Sequence, residues 1–174
     1  MTRSVVIADA GPLIALARIG QLDLLRGVFG AVLLTPDVAA EIGIDARGAT
    51  SKAGGNAIRQ SLAAGWLTIA KLDAEVSYPP LNPGVDAGES SSIALALHQQ
   101  ACGERVLMII DDRCGRAEAR RQGLPIVGTA AVLVLAKERN LIPTCGPLLL
   151  AMREEGYFLS DALVAAVLNQ AGES

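Results

Sequence analysis

The chain has 174 residues, of which 51% are apolar and 3% aromatic, and its formal net charge is −3. This length fits one domain with a substantial buried core. The charge excludes a strong overall attraction to nucleic acid, although it is compatible with a local basic patch. No apolar stretch approaches the roughly 20 residues that cross a bilayer. Three cysteines without ligand-like spacing indicate reduced thiols in a cytoplasmic protein.

Strand and helix patterns alternate along the chain, which predicts βα units and a parallel sheet. In chain order we predict a strand over 4–8, helices over 12–19 and 21–28, a strand over 31–34, and a helix that begins at Thr35-Pro36. A loop over 43–55, rich in Gly, Ala and Ser, is interpreted as mobile. A helix over 55–64 and a strand over 66–70 follow it.

The second half of the chain continues the alternation. We predict a helix over 86–101, a strand over 106–110, a helix over 113–122, a strand over 124–127 and a helix over 129–140. Two tail helices, separated by Gly156, follow between 147 and 170. We expect one domain, with a core over about residues 1–140 and a helical extension over about 141–174.

Acidic residues lie where these elements end or begin. Asp9 follows the first strand, and Asp111 and Asp112 follow the fourth. Since the C-terminal ends of parallel strands share one edge of a sheet, where ligands bind, these carboxylates are expected to converge with Glu41 and Glu89 from adjacent helices in one cleft. Such a concentration of negative charge is costly unless hard cations neutralise it. The sequence therefore predicts a metal site.

The strand-end aspartates also have structural interpretations. Asp9 could cap the turn that follows it, but its strand neighbours are apolar and make an unpaired charge expensive, which favours a ligand role. One of Asp111 and Asp112 could cap the next helix. The other would then lack a structural purpose, and this favours a cation beside the pair.

The two glutamates are weaker candidates when each is considered alone. Glu41 is typical of a solvated residue on a helix whose other face is apolar. Asp86 and Glu89 have the spacing of a capping box, and spacing alone favours that role for Glu89. Capping and metal binding are compatible, so both interpretations stay open.

A basic helical segment follows the aspartate pair. It contains Arg113, Arg116, Arg120 and Arg121 at helical spacing. The commoner meaning of such a pattern is a solvated helix face. The functional alternative is phosphate contact beside a metal cleft, with Arg113 and Arg116 closest to it.

Four segments carry these residues, and together they resemble the PIN-domain family of metal-dependent ribonucleases, which includes VapC-type toxins. The segments are VVIADAGPLIALARIGQL, LLTPDVAAEI, VDAGESSSIALAL and LMIIDDRCGRAEARRQGLPIVGT. The order and spacing of their acidic positions match the family over roughly residues 4–135. The aspartate pair, the GLPIVGT segment and the helical tail are similar to one prokaryotic PIN-like subgroup.

The resemblance implies a three-layer α/β/α sandwich with a central parallel sheet and a C-terminal helical extension. It implies a catalytic quartet of Asp9, Glu41, Glu89 and Asp112, and a metal-ligand set of Asp9, Glu89, Asp111 and Asp112. Mg²⁺ or Mn²⁺ held there would activate water for attack on an RNA phosphodiester. The implied partners are an RNA substrate, an antitoxin protein and a second copy of the chain. We expect a cytoplasmic protein without a membrane partner.

One departure from the family concerns the residues after Asp9. PIN nucleases usually place a Ser or Thr hydroxyl there, whereas this chain has Ala10-Gly11. The departure motivates an alternative, a non-catalytic module with the same fold that binds RNA or a protein. A HAD-like phosphatase also has an aspartate after its first strand, but it typically needs a second acidic residue where this chain has Gly11.

Overall fold

The computed structural model describes residues 4–44 and 54–173. The first half contains β1 (Val5–Ala8), α1 (Ala10–Arg18), α2 (Asp23–Phe29), β2 (Val32–Leu34), α3 (Pro36–Ile42), α4 (Gly55–Ala63) and β3 (Leu67–Ile69). The second half contains α5 (Ala87–Ala101), β4 (Val106–Ile109), α6 (Arg113–Arg121), β5 (Ile126–Val127), α7 (Thr129–Glu138), α8 (Gly146–Glu154) and α9 (Asp161–Gln170). The predicted elements are confirmed to within a few residues. The mobile loop predicted over 43–55 falls mainly on 45–53, outside the described residues.

The five strands form one parallel sheet in the order β3-β2-β1-β4-β5. The chain builds outward from β1 through β2 to β3, and then returns to the other side of β1 to place β4 and β5. In the register of the central pair, Ile7 lies beside Met108 and Ala8 beside Ile109. Strand order therefore reverses between β1 and β4, and in open α/β sheets ligands bind beyond the C-terminal strand ends at such a point.

Helices cover both faces of the sheet, as the apolar sequence of β1 requires. Side chains alternate between faces along a strand, and those of β1 separate accordingly. Val6 and Ala8 join an apolar cluster with α1, α2, α3, α7 and the tail helices. Ile7 joins a second cluster with α5 and α6. The predicted α/β/α sandwich is therefore confirmed, since a strand buried on both faces needs a helical layer on each side.

The tail is fixed to the rest of the chain by Glu173. Its Oε1 accepts hydrogen bonds from the Cys145 N–H at 2.6 Å and from Lys137 Nζ at 2.8 Å. Its Oε2 accepts one from the Gly146 N–H at 3.0 Å. Glu173 thus joins the end of the tail to the N-terminal end of α8 and to α7, and these contacts hold the pKa of its carboxyl at about 2.

Two further predictions concern the tail and the thiols. Gly156 separates the tail helices as predicted, with a left-handed φ of +85° just after α8. All three cysteines are free thiols. Within the described ranges, none of the helices combines the length and the apolar character that a membrane crossing needs.

Replacing Glu173 by Gln should loosen the tail. The substitution keeps the shape of the side chain but removes the negative charge that accepts hydrogen bonds from Lys137 and from two backbone N–H groups. Relative to wild type, we expect a lower melting temperature. We also expect hydrogen exchange to become faster at the α8 amides, with a smaller change at the β1 amides. The control is Glu154→Gln, an exposed position at the end of α8. Equal melting temperatures and equal exchange in the two variants would contradict this role for Glu173.

Candidate functional site

An acidic cleft of about 630 Å³ opens at the C-terminal edge of the sheet. Its walls come from both strand ends at the switch point, from the start of α5 and from the tail. The carboxylates that line it are Asp9, Glu41, Asp86, Glu89, Asp111 and Asp112. The structure thus brings all five predicted acidic residues to one cleft, together with Asp86, which the sequence indicated only as a helix cap.

Asp9 is the most deeply buried aspartate of the cleft. Its N–H donates to the Ile109 carbonyl at 3.0 Å, which joins the ends of β1 and β4. Asp9 is 7% exposed and makes no capping bond to α1, and within residues 4–44 and 54–173 its Oδ1 has no hydrogen-bond partner. The turn-cap alternative is therefore wrong. A buried carboxylate oxygen without a partner is costly in a stable fold.

The pKa of Asp9 reflects this burial. The pKa is raised from 3.8 to about 7, chiefly by loss of water; the Ala10 N–H lowers it, and the charges of Glu41, Asp86 and Asp111 raise it. A carboxyl with such a pKa holds its proton in a fraction of molecules at neutral pH. A bound cation would favour the ionised form.

Glu89 is held by the capping box that its spacing predicted. The Asp86 side chain accepts from the Glu89 N–H at 2.8 Å, and Glu89 Oε2 accepts from the Asp86 N–H at 3.0 Å. Glu89 is 3% exposed, and burial raises the pKa of its carboxyl to about 8, with Asp86, Asp112 and Asp9 adding to the effect. Glu89 thus makes the capping contact and lines the cleft at the same time, so the cap is compatible with the predicted site role.

Both aspartates that follow β4 have structural partners. Asp112 Oδ1 caps α6 by accepting from the N–H groups of Cys114 at 2.7 Å and Gly115 at 3.1 Å. Asp111 Oδ1 accepts from the Thr129 N–H at 2.8 Å, and Oδ2 accepts from the Thr129 hydroxyl at 2.5 Å. Asp111 Oδ2 also accepts from the Tyr157 hydroxyl.

The expectation that one of these two aspartates lacks a structural purpose is therefore wrong. The reason is long-range: Thr129 lies 18 residues and Tyr157 46 residues beyond Asp111. Burial, followed by the Asp111 charge, raises the pKa of the Tyr157 hydroxyl, so it remains a donor. Reasoning from sequence missed Thr129 and Tyr157, because no local spacing connects either of them to the aspartate pair.

Three glycines let the backbone approach these carboxylates closely. A Cβ at any of them would lie under 3.0 Å from an atom of a site carboxylate. The pairs are Gly88 with Oε2 of Glu41 at 2.7 Å, Gly115 with Cδ of Glu89 at 2.9 Å, and Gly128 with Oδ1 of Asp111 at 2.8 Å. The cleft therefore owes part of its shape to positions that carry no side chain.

The four arginines of α6 have different surroundings. Arg113 is exposed and lines the cleft. Arg116, the other predicted phosphate contact, donates from Nη1 to the Ile110 carbonyl at 2.8 Å and supports the end of β4. Arg121 pairs with Glu118 at 2.5 Å. Only Arg113 of this segment is among the residues that line the cleft.

The carboxylates of the cleft are ligands of the type that a hard divalent cation prefers, but their oxygens do not surround a common point. In residues 4–44 and 54–173, no three acidic, His or Cys side chains are close enough to hold an ion as they stand. Every candidate ligand is nevertheless a carboxylate oxygen, as Mg²⁺ and Mn²⁺ prefer. Asp9 Oδ1 is buried and has no partner. Cation binding would therefore require side chains to move toward Asp9.

The match to a known family extends over almost the whole chain. A family model described as a PIN domain matches residues 5–173, which includes the strand-end carboxylates and the helical tail. PIN domains are generally nucleases, and they generally use divalent metal ions. No curated protein matches the chain.

The stability of the metal-free protein should fall as pH rises, which is the opposite of the usual carboxylate effect. The native pKa of Asp9, about 7, exceeds its ordinary value of 3.8, so the native state binds a proton that the unfolded chain has already lost. This contribution is complete below about pH 4 and is lost as pH rises through about 7. At 1.36 kcal/mol per pKa unit, its upper limit is roughly 4 kcal/mol.

Urea unfolding in EDTA between pH 5 and 8 measures this slope. We expect the free energy of unfolding to fall across the range in wild type, and to fall distinctly less in Asp9→Asn. Asp73→Asn, at an exposed loop position, is the control and should keep the wild-type slope. A wild-type slope in Asp9→Asn would show that Asp9 is not the group that titrates.

Adding a methyl group at Gly115 should displace Glu89. The new Cβ would lie 2.6 Å from Ile110 Cδ1 and 2.9 Å from Glu89 Cδ, and both side chains are buried. We expect Gly115→Ala to lower the free energy of unfolding by roughly 1–3 kcal/mol, in spite of the better helix propensity of Ala. Urea unfolding measures the change.

Gly27→Ala is the matched control for that substitution. Gly27 also lies inside a helix, and its new Cβ would meet the end of the Leu141 side chain, which is 43% exposed and has room to move. Its stability should stay constant or rise by up to about 1 kcal/mol. Equal losses in the two variants would mean that the contact with Glu89 does not matter.

Proposed function

The chain belongs to the PIN-domain family, and from that membership we propose that it is a metal-dependent endoribonuclease that hydrolyses RNA phosphodiester bonds. The observation that carries the proposal is the acidic cleft at the strand-order reversal, with a buried, unpartnered oxygen of Asp9 inside it. A buried oxygen without a partner lowers the stability of a fold, whereas a divalent cation would give that oxygen a partner.

The proposed ligands are Asp9, Glu89, Asp111 and Asp112, and Glu41 is a further catalytic carboxylate. Mg²⁺ or Mn²⁺ held by these residues would supply the Lewis acid for activation of the attacking water. Asp9 and Glu89, with pKa values of about 7 and about 8, release protons to solvent when they become ligands. Glu41 Oε2, which lies beside Gly88, is the proposed acceptor of the proton that the attacking water loses.

Substrate contact is assigned to Arg113. It is exposed and lines the same cleft as the carboxylates, so its guanidinium offers the positive charge that a phosphate requires there. Arg116 is occupied with the Ile110 carbonyl at the end of β4. We therefore give Arg116 the role of supporting the strand end that carries Asp111.

We also propose that the chain is the toxin of a toxin–antitoxin pair, acting in the cytoplasm as a homodimer bound by its antitoxin. The resemblance to VapC-type toxins supports this biological role. A cleft lined by six carboxylates is complementary to a basic side chain that an antitoxin would insert. Growth arrest on expression of the chain, relieved by a co-expressed neighbouring reading frame, would test the role.

One observation favours a second candidate, a non-catalytic module that binds RNA or a protein. The carboxylate of Asp111 already accepts three hydrogen bonds, from Thr129 twice and from Tyr157. Asp112 already caps a helix. Since these contacts alone would account for the aspartate pair, binding of RNA that needs no metal and survives Asp9→Asn would support the module over the nuclease.

Cleavage of a mixed RNA pool in Mg²⁺, Mn²⁺ or EDTA tests the proposed function. We expect cleavage only with metal, and a loss of at least about 100-fold in Asp9→Asn and Asp112→Asn, since each variant removes a ligand charge. Asn still caps helices well, so Asp112→Asn should leave α6 intact.

Asp73→Asn is the matched control for this assay and should cleave like wild type. Purified wild type that cuts RNA with neither metal would overturn the nuclease proposal in favour of the binding module. Equal cleavage by wild type and both site variants would reveal a contaminating nuclease.

A further inference from the structure

The tail forms one wall of the acidic cleft. Tyr157, Phe158, Leu159, Ser160 and Leu163 all line it. The Leu159 side chain is buried in the main apolar cluster, and the Leu159 carbonyl accepts from Nη2 of Arg153 on α8 at 2.6 Å. These contacts hold the segment that carries Tyr157 against the rest of the fold.

Tyr157 is the tail residue that contacts a site carboxylate. Its hydroxyl donates to Oδ2 of Asp111, which also accepts from the Thr129 hydroxyl. Oδ1 of the same carboxylate accepts from the Thr129 N–H. Each carboxylate oxygen has about two lone-pair sites, so these contacts occupy Oδ2 fully and leave one site on Oδ1. The carboxylate is thereby fixed with a single oxygen available to a cation.

Gly11 lies near the phenol of Tyr157, and both residues line the cleft. A Cβ at position 11 would lie 3.9 Å from the Tyr157 hydroxyl oxygen, an ordinary van der Waals distance. Gly11 is the second residue of α1 and lies two residues after Asp9, which follows β1, whereas Asp111 follows β4. The hydroxyl of Tyr157 thus lies between the two strand ends whose carboxylates face the cleft.

We propose that Tyr157 is a positioning residue, which orients Asp111 so that Oδ1 serves as a single-oxygen ligand for a divalent cation, and that the C-terminal tail thereby completes the metal site. The inference rests on the proposed metal site, but not on RNA cleavage. Hydrogen bonds from outer residues orient metal-binding carboxylates in general, and their loss costs about 10–100-fold in metal affinity.

Calorimetric titration of the metal-free protein with Mn²⁺ tests the role directly. We expect Tyr157→Phe, which keeps the ring and removes only the hydroxyl, to raise the Kd for Mn²⁺ about 10–100-fold. The matched control is Tyr78→Phe, at the only other tyrosine of the chain. Tyr78 donates to the carboxylate of Glu118 at 2.6 Å and does not line the acidic cleft.

Comparison of the two tyrosine variants separates positioning from a purely structural role. Each loses one hydroxyl bonded to a carboxylate, so both are expected to show a lower melting temperature. Only Tyr157→Phe should lose Mn²⁺ affinity, and its RNA cleavage should recover at saturating Mn²⁺. Wild-type Mn²⁺ affinity in Tyr157→Phe would overturn the inference, and so would equal losses of affinity in the two variants.

Asp111→Asn provides a second, independent measurement. If Tyr157 acts through Asp111, then adding Tyr157→Phe to Asp111→Asn should change the Kd for Mn²⁺ by less than about twofold, because coupled residues are not additive. Fully additive losses would overturn the inference, as would a wild type that binds no Mn²⁺. Wild type that binds Mn²⁺ with this coupling but cuts no RNA would leave the inference standing and overturn the nuclease function.

Discussion

The burial of negative charge at one edge of the sheet is the constraint on which the rest of the site depends. Six carboxylates share a cleft of about 630 Å³, and Asp9, between the two central strand ends, is nearly cut off from water. Desolvation, followed by mutual repulsion, raises the pKa of Asp9 to about 7 and that of Glu89 to about 8. Neighbouring backbone N–H groups offset part of this cost, and the raised pKa values show that a substantial part remains.

The fold limits that cost by giving most of the carboxylates a second role. Asp86 and Glu89 cap α5, Asp112 caps α6, and Asp111 holds the first residue of α7. Helix N-termini offer unpaired N–H groups and positive potential, which suit negatively charged side chains. Structural and functional interpretations of these residues are therefore not competitors, because these carboxylates make the structural contacts and line the cleft at the same time. The Asp9 side chain does not cap α1, and its buried Oδ1 has no hydrogen-bond partner among the described residues.

Local patterns predicted the fold well and the aspartate contacts poorly. Apolar runs located the strands, and Thr35-Pro36 located the start of α3, where the Thr35 hydroxyl accepts from the Val38 N–H at 3.2 Å. The capping box at Glu89 was also local and was confirmed. The partners of Asp111 were not predictable in this way, because Tyr157 reaches it only after α7 and α8 have turned the chain back. Helical spacing also could not show that Arg116 donates to the Ile110 carbonyl, because that contact depends on how the chain turns from β4 into α6.

The tail connects these observations, because the same segment stabilises the fold and closes the site. The family match continues to residue 173, and Glu173 joins that end of the chain to α7 and α8. The Glu173 contacts hold α8 in place, and the segment that follows α8 carries Tyr157, which donates to Asp111. In the proposed metal site, metal affinity and tail docking would therefore be coupled, since each favours the same orientation of the Asp111 carboxylate. A cation that lowers the cost of burying Asp9 would then stabilise the tail, although the two lie on different elements.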